Sequence, residues 1–396
     1  MLTNGVNYLY HLVMGRLIGP VEYGILASLY SILYIISIVP MSTSFAMVKF
    51  VSSAKNNEEL SSVYLALKKF VWKLAMVGMV IVLLLSPLIS KFLNLTGIAS
   101  VATIGPILFF SLICLVNQAT LQGILKFAGS AVPSFISSIF KLVFGVLLVI
   151  LGWKSLGAMV GVLIAIASAY FLSVWYLKRN VKIRIGEKFN LNPFFVYAFP
   201  VLMQALAFTS FFTADVILVK HYFSGFEAGL YAALSMLGKI IYFATSPVTA
   251  TMFPIVSGRR SRNEGFKKIF LISIGITLIG SLVIVTFYKF FPSLAIGLLY
   301  GKAYLVASGE LFLMGVFMLF YTLSYFLVNF LLSLGEVKTA YLPSFFAIFQ
   351  IVGITIFHQT LGQVIGVSLI SAGLLFGTLI LFLGYNQVWR KRNFFQ

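Results

Sequence analysis

The stretch that decides the fold is GRLIGPVEYG, residues 15–24, in which an arginine, a Gly-Pro pair and a glutamate stand between two long apolar runs. A similar stretch, SGFEAGLYAA, occupies 224–233 and places Glu227 at a shift of 205 from Glu22. A Gly-Pro pair favours a tight turn, and a carboxylate near a helix N-terminus complements the helix dipole. The two stretches therefore predict the same feature twice, a turn that leads into the second helix of a repeated unit.

The composition places these helices in a membrane. Of the 396 residues, 61% are hydrophobic and only 9% are charged, whereas about a quarter of a soluble domain is charged. Apolar runs of about 20 residues match the ~30 Å of hydrocarbon that a helix must cross, and backbone groups in lipid must be paired internally. We predict an all-α integral membrane protein with twelve transmembrane helices. The predicted spans are 2–18, 24–49, 70–93, 97–118, 131–151, 155–177, 194–219, 227–256, 267–290, 305–333, 338–358 and 362–388.

The distribution of lysine and arginine supports this count. With the N-terminus in the cytoplasm, the cytoplasmic connections hold twenty of the 28 basic residues and the outer connections hold six. Such an excess of basic residues is typical of cytoplasmic loops. The pattern predicts a multi-pass plasma-membrane protein with both termini cytoplasmic. The net charge of +19 then follows from topology and contact with anionic lipid headgroups, and needs no nucleic-acid partner.

Matches at a constant shift divide the chain into two halves. LGAMVGVLI at 156–164 and LGQVIGVSL at 361–369 are again 205 residues apart, in the same order as the first pair of stretches. Six spans per repeat is an even number, so both copies enter the membrane from the same side and are related by a pseudo-twofold axis along the membrane normal. We predict two parallel six-helix lobes, 1–177 and 194–396, joined by a basic cytoplasmic linker, 178–193. The second lobe ends in a cytoplasmic tail.

The residues around the first turn resemble a known family. The run YLYHLVMGRLIGPVEYGILASLYSI (8–32) is similar to the opening of the polysaccharide-biosynthesis flippases, which export O-antigen and lipid-linked oligosaccharides and belong to the multidrug/oligosaccharidyl-lipid/polysaccharide flippase superfamily. TADVILVKHYFSGFEAGLYAAL (213–234) resembles the start of the second half in the same family. The resemblance implies a fold like that of multidrug-and-toxin-extrusion transporters. It also implies a function, the flipping of a polyprenyl-diphosphate-linked oligosaccharide to the outer leaflet by alternating access.

Charges inside the predicted spans are the candidate binding groups. A charge at mid-bilayer costs several kcal/mol unless it faces a cavity or a partner. Lys141 lies in the middle of span five and Lys239 in the middle of span eight, and Arg16 lies near the outer end of span one. We expect the three side chains to be the cavity cations that bind an anionic headgroup. The alternative is that the lysines pair with Asp215, an asparagine or a carbonyl and only join helices.

Two acidic residues are candidates for ion coupling. Asp215 lies within span seven, where it is a possible H⁺ or Na⁺ site or the permanent counter-ion of a lysine. Glu310 lies about one turn inside span ten, where an interfacial location also explains it.

The sequence contains no pattern that indicates an enzyme. It has no Gly-rich phosphate loop, no catalytic constellation, no metal-spaced histidines and no sign of a cofactor. Its single cysteine, Cys114, cannot form an intrachain disulfide. Two alternatives to the flippase remain, a cation-coupled multidrug antiporter of the same fold and a non-transporting scaffold of a polysaccharide assembly complex. The expected partners are the polyprenyl-diphosphate-linked glycan, membrane lipids and polysaccharide polymerases.

Overall fold

The computed structural model describes residues 2–54, 56–181, 202, 203, 205–336, 339 and 341–385, which are helical over most of their length. The chain divides into two compact units, Met1–Ala205 and Leu206–Gln396. The predicted linker lies mostly outside the described residues, since only 178–181 are described and the last helix of the first unit ends at Asn180.

In the described part of the first unit, residues 2–54 and 56–181, six α-helices follow one another, of which one is bent and one is short. They are α1 Leu2–Ser52, α2 Asn57–Phe92, α3 Ala99–Ala102, α4 Ile104–Gly123, α5 Ala128–Leu148 and α6 Lys154–Asn180. A π-helical turn, Val149–Trp153, joins α5 to α6. The predicted turn in the opening stretch is confirmed, because Gly19 has φ 72° and ψ 174° and breaks α1 into two arms. Glycine suits this position because a side chain disfavours positive φ.

The second unit begins with a helix that is interrupted. Residues 205–211 are helical, 212 and 213 form a turn, and the helix resumes as α7. The helices that follow are α7 Ala214–Tyr222, α8 Gly225–Ser261, α9 Lys267–Phe290, α10 Pro292–Leu299, α11 Leu311–Ser333, α12 Leu342–Ile356 and α13 Leu361–Tyr385. A 3₁₀ helix, Lys302–Glu310, precedes α11.

The twelve predicted spans all have helical counterparts among the described residues. Eight helices are long and apolar enough to cross a membrane. Two of these contain two predicted spans each, since the helix at 3–38 bends at Gly19 and the helix at 128–180 bends at Gly152, where φ is 90°. The short apolar helix α12 and the interrupted helix at 205–222 account for the remaining two spans.

The repeat is visible in how the helices pack inside each unit. In the first unit α4 packs against the second arm of α1, α2 and α6, and α5 packs against α6. In the second unit α11 packs against α8, α9 and α13, and α12 packs against α13. The fourth span of each unit is thus its central helix, surrounded by the equivalent neighbours. This shared pattern is what a duplicated sequence predicts.

The glutamates at equivalent positions of the two repeated stretches hold helix starts in different ways. Glu227 forms a capping box with Ser224, whose backbone N–H donates to Glu227 Oε2 at 3.1 Å. Glu22 instead reaches the start of α6, where the Ser155 N–H donates to Glu22 Oε2 at 3.3 Å and Lys154 Nζ lies 3.8 Å from Oε1. Both carboxylates satisfy backbone N–H groups at a helix start, as the sequence predicts, but Glu22 does so for a distant helix.

Candidate functional site

The first unit contains a polar cleft between its helices. The cleft has a volume of about 350 Å³, within the range of small-molecule sites. Most of its lining side chains carry a hydroxyl, an amide or an ammonium group, and none carries a carboxylate. They are Thr3, Asn7, Ser37, Ser111, Cys114, Leu115, Gln118, Ser134, Ser137, Ser138, Lys141, Ile166 and Ala169.

Among the residues that the structure describes, Lys141 is the one charged side chain that lines this cleft. It is buried, and its Nζ lies 4.6 Å from the centre of the Tyr10 ring and 5.7 Å from that of Tyr30. The Tyr10 ring is fixed because its hydroxyl donates to the Ala158 carbonyl at 2.9 Å. Aromatic faces attract a cation without neutralising its charge. The two rings therefore position the ammonium and leave its N–H groups available for an anion.

The surroundings of Lys141 do not favour the alternative in which the lysine pairs with Asp215, an asparagine or a carbonyl and only joins helices. Among the described residues, no carboxylate lies within 4.0 Å of its Nζ and no hydrogen bond from it to protein is recorded. His11 packs edge-on against Tyr10 and Tyr30 and is buried. The described part of the chain holds no group of three His, Cys, Asp or Glu side chains spaced to bind a metal.

In the second unit, Asp215 lies directly after the interruption of the seventh span and is 1% exposed. Its Oδ2 accepts from the Tyr231 hydroxyl at 2.8 Å and its Oδ1 from the Val216 N–H at 2.8 Å. The interruption leaves carbonyl groups without helical N–H partners, and side-chain donors take the place of those N–H groups. Gln350 Nε2 donates to the Phe211 carbonyl at 3.0 Å, and the Tyr321 hydroxyl donates to that of Phe208 at 3.2 Å.

Gln350 extends this network and leaves one acceptor unused. Its Nε2 also donates to Ser368 Oγ at 2.9 Å, whereas its Oε1 is buried without a hydrogen-bond partner in the described structure. Buried polar atoms are almost always paired. The interrupted helix, the Asp215 carboxylate and this free amide oxygen thus form an oxygen-rich, fully buried cluster.

Lys239 lies beside the same interruption. It is buried on α8, with its Nζ 5.0 Å from the centre of the Phe212 ring. The Asp215 carboxylate is near enough to interact with it electrostatically, yet the described residues show no ion pair between them within 4.0 Å. Asp215 therefore makes its direct contacts with hydrogen-bond donors rather than with the lysine.

Arg16 and Glu310 lie away from these two clusters. Arg16 is exposed, one turn before the bend at Gly19, and does not line the cleft. Glu310 ends the 3₁₀ helix, and its carboxylate packs against Gly362 in the first turn of α13. A carboxylate there complements the N-terminal dipole of α13, which fits the interfacial alternative for this residue. The roles of both residues stay predictions.

Several residues of these clusters are not singled out in the sequence. Tyr10 and Tyr30 are two of 19 tyrosines, and Gln350 lies in a generic apolar run. The serines that line the cleft do carry a signal. In SAVPSFISSIFK, residues 130–141, Ser130, Ser134, Ser138 and Lys141 follow each other at intervals of four, four and three, which is the spacing of one helix face.

The comparison with known proteins agrees with this architecture. Residues 13–309 match the family model described as polysaccharide biosynthesis protein. An uncharacterized membrane protein of Methanocaldococcus jannaschii is 24% identical over 322 residues, which cover 73% of this chain and 74% of the relative.

Solved structures show the same fold at low sequence identity. An inward-facing MATE family multidrug resistance transporter of the MOP superfamily has a TM-score of 0.80 at 14% identity, covering 95% of this chain and 94% of the other. The lipid II flippase MurJ in an inward closed conformation has a TM-score of 0.73 at 17% identity, covering 96% and 86%. A MOP superfamily transporter from Pyrococcus furiosus, described as having a binding pocket of reversed polarity, has a TM-score of 0.64 at 18% identity, covering 97% and 93%.

The family match extends from the first arm of α1 to the 3₁₀ helix before α11, and the structural likeness covers nearly the whole chain. This chain is a multi-pass membrane protein that belongs to the polysaccharide biosynthesis protein family and has the fold of the MOP superfamily transporters.

Proposed function

We propose that this protein is a flippase that moves a polyprenyl-diphosphate-linked oligosaccharide to the outer leaflet of the plasma membrane. The observation that carries the proposal is the buried ammonium of Lys141, which has no carboxylate partner and faces a cleft of hydroxyl and amide groups. A buried cation is costly in a membrane unless an anion visits it. A diphosphate headgroup supplies that anion, and sugar hydroxyls match the remaining lining.

The sign of the charge separates this proposal from multidrug antiport. A site for cationic drugs needs acidic groups, whereas the cleft in the first unit has a lysine and no carboxylate. The lipid II flippase and the transporter with a reversed-polarity pocket show that this fold is not restricted to drug export. We therefore assign an anionic cargo, with both termini in the cytoplasm as the basic loops predict.

We propose that the cycle is alternating access and that Asp215 couples it to H⁺ or Na⁺. Asp215 has the environment for this role, because its carboxylate, the free Gln350 oxygen and the interrupted helix lie together in a buried cluster. Interrupted helices with unwound carbonyls hold coupling ions in other transporter folds. Lys239, next to the same interruption, is a second candidate cation for the headgroup, and Arg16 is a candidate guard of the outer mouth. Glu310 remains a weaker coupling candidate at the start of α13.

The proposed cycle breaks no covalent bond of the glycan, so the protein is a carrier and not an enzyme, and it needs no cofactor. A polysaccharide polymerase is the natural consumer of the flipped lipid. The scaffold alternative differs in one observable respect, because a scaffold moves no lipid between leaflets.

The test is flipping of a fluorescent polyprenyl-diphosphate sugar in proteoliposomes, read as the fraction that a membrane-impermeant quencher reaches. We expect wild type to flip the lipid, Lys141→Ala to lose at least most of the rate, and Lys141→Arg to retain part of it. Lys154→Ala is the matched control, since Lys154 is a largely exposed lysine of the same unit. Equal rates for Lys141→Ala and Lys154→Ala would remove the basis of the proposal.

A further inference from the structure

One face of α5 carries a ladder of hydroxyl groups that ends at Lys141. We call Ser130, Ser134, Ser137 and Ser138 the serine ladder. From Ser130 to Lys141 the helix rises about 16 Å at ~1.5 Å per residue, roughly half of the ~30 Å hydrocarbon thickness. The ladder therefore connects the end of α5 near the α4–α5 connection with the middle of the membrane. Three of the four serines and Lys141 line the cleft described above.

The hydrogen bonds of the serine ladder leave its oxygens able to accept more. Ser134 and Ser138 donate their hydroxyl hydrogens to backbone carbonyls of Ser130 and Phe135, at 2.8 and 2.7 Å. Two glutamines of α4 supply single bonds from the other side, Gln122 Nε2 to Ser130 Oγ at 3.1 Å and Gln118 Nε2 to Ser134 Oγ at 3.3 Å. A hydroxyl oxygen has two lone pairs, so each of these serines retains acceptor capacity toward the cleft.

The opposite walls of the cleft carry polar groups with no recorded protein partner. Asn7 and Ser37 of α1 and Ser111 of α4 line the cleft, and among the described residues their side chains make no hydrogen bond to protein. Lys141 is only 9% exposed, and it makes no hydrogen bond or ion pair with the described residues. Unused donors and acceptors inside a membrane protein are expensive unless water or a ligand satisfies them. The cleft is thus complete only when something polar fills it.

We propose that the serine ladder is a hydrated track that binds the hydroxyl groups of the sugars next to the diphosphate, with the diphosphate on Lys141. This proposal rests on the proposed function and specifies which part of the cargo each wall recognises. A cleft of about 350 Å³ is at the small end of ligand sites, roughly 300–1,000 Å³. It admits the sugars nearest the lipid and leaves a longer glycan outside.

The charge of the cleft adds a specificity. The lining contains one ammonium and no carboxylate, so the protein offers a free amino group on the first sugar no carboxylate to pair with, and Lys141 repels it. The same amine, when acetylated, becomes a neutral amide that the serine and glutamine side chains bind. The track therefore selects neutral or N-acetylated sugars over free amino sugars at the position next to the diphosphate.

The test is a cysteine scan of α5 in proteoliposomes. The single native cysteine is first replaced by Cys114→Ala, and Ser134→Cys, Ser137→Cys and Ile139→Cys are added one at a time. Each is labelled with a negatively charged, membrane-impermeant methanethiosulfonate. Ile139 is the matched control, since it lies outside the cleft lining on the same helix and is exposed on the surface. Serine and cysteine are nearly isosteric. Thermal unfolding checks that each variant is folded, and flipping of a fluorescent lipid is measured separately.

We expect Ser134→Cys and Ser137→Cys to react about tenfold or more faster than Ile139→Cys, because a thiol ionises in water and not in apolar surroundings. Geranyl-diphosphate-linked N-acetylglucosamine should slow labelling at Ser134→Cys, the glucosamine analogue with a free amine should slow it less, and geranyl diphosphate alone should not slow it. If Ser134→Cys and Ser137→Cys were labelled as slowly as Ile139→Cys, the proposal that the serine ladder is a hydrated track would be overturned.

Fast labelling that no sugar-bearing probe slows would overturn the sugar assignment. The two failures are separable from failure of the proposed function. A flippase without the track still flips the fluorescent lipid while the ladder cysteines stay unreactive, whereas a hydrated track in a protein that flips nothing contradicts the proposed function alone.

Discussion

Lys141 is placed where a charge is energetically unfavourable. It is buried against two tyrosine rings without a carboxylate partner. A buried charge without a partner is costly, and even paired buried charges can often be replaced by apolar groups of similar volume without loss of stability. We predict that Lys141→Met leaves the unfolding free energy unchanged or raises it by about 1 kcal/mol, while flipping is lost. Thermal unfolding in detergent, read together with the flipping rate, checks this. Strong destabilisation with retained flipping would show that the lysine is structural.

Asp215 is the residue whose substitution is expected to remove ion coupling while leaving lipid flipping in place. Tyr231 donates to its carboxylate and can donate to an amide oxygen, so Asp215→Asn should keep this bond, lose the one from the Val216 N–H and remove the titratable group. We predict that flipping by Asp215→Asn no longer responds to an imposed H⁺ or Na⁺ gradient. The measurement is the flipping rate with and without each gradient, beside wild type. A variant that responds as wild type does would exclude coupling through this side chain.

The sequence alone could predict only the charged residues of the candidate site. Lys141, Lys239 and Asp215 stand out because charges are rare inside apolar runs, and all three are buried. Tyr10 and Gln350 do not stand out, because tyrosines and glutamines also occur at helix ends and in ordinary helix contacts. Their positions depend on packing between helices distant in sequence, such as the contact of Gln350 with Phe211, which a single sequence does not specify.

At the scale of the helices, the two repeats differ in how tightly they pack. Gly161 on α6 lies against Gly145 of α5, so a Cβ at 161 would meet the Gly145 Cα and N at 2.6 Å. Its equivalent at the shift of 205, Gly366 on α13, has nothing within 4 Å of the corresponding Cβ position. Small residues allow such close approach of helix backbones in membranes.

This difference gives a matched pair of substitutions. We predict that Gly161→Ala destabilises the protein by about 1–3 kcal/mol, as overpacking does, whereas Gly366→Ala stabilises it slightly, by roughly 0.4–1 kcal/mol, through a stiffer unfolded chain. Thermal or denaturant unfolding of both variants in the same detergent checks the signs. Equal effects would mean that α5 and α6 are not in backbone contact.

Helix boundaries followed from the sequence where composition changes sharply and not where it stays apolar. Span nine, 267–290, coincides with α9, and the turn at Gly19 is marked by its Gly-Pro pair. The interruption at 212 and 213 lies inside the predicted span 194–219 and is marked by no glycine or proline, so hydropathy predicts one unbroken helix there. Tyr321 of α11 and Gln350 of α12 donate hydrogen bonds to the carbonyl groups that the interruption leaves without helical partners.

At the scale of the whole chain, charge distribution and duplication explain most of the architecture. Among the described residues, the fourth predicted span of each unit packs against the equivalent neighbours, which agrees with the repeat in the sequence. The copies have nevertheless diverged in chemistry. The first holds the lysine-bearing polar cleft and the second holds the buried Asp215 cluster. We propose that the first half binds an anionic headgroup and the second a coupling ion.

The central claim is that the cleft of the first unit binds an anionic, sugar-bearing lipid headgroup and not a cation. The most direct test is thermal stabilisation of the purified protein by a short-chain prenyl-diphosphate disaccharide and, in parallel, by a cationic dye. We predict that the glycolipid stabilises the wild-type protein in a concentration-dependent way and does not stabilise Lys141→Met. We predict that the dye does not stabilise the protein. Stabilisation by the dye alone, or by the glycolipid equally in both proteins, would contradict it.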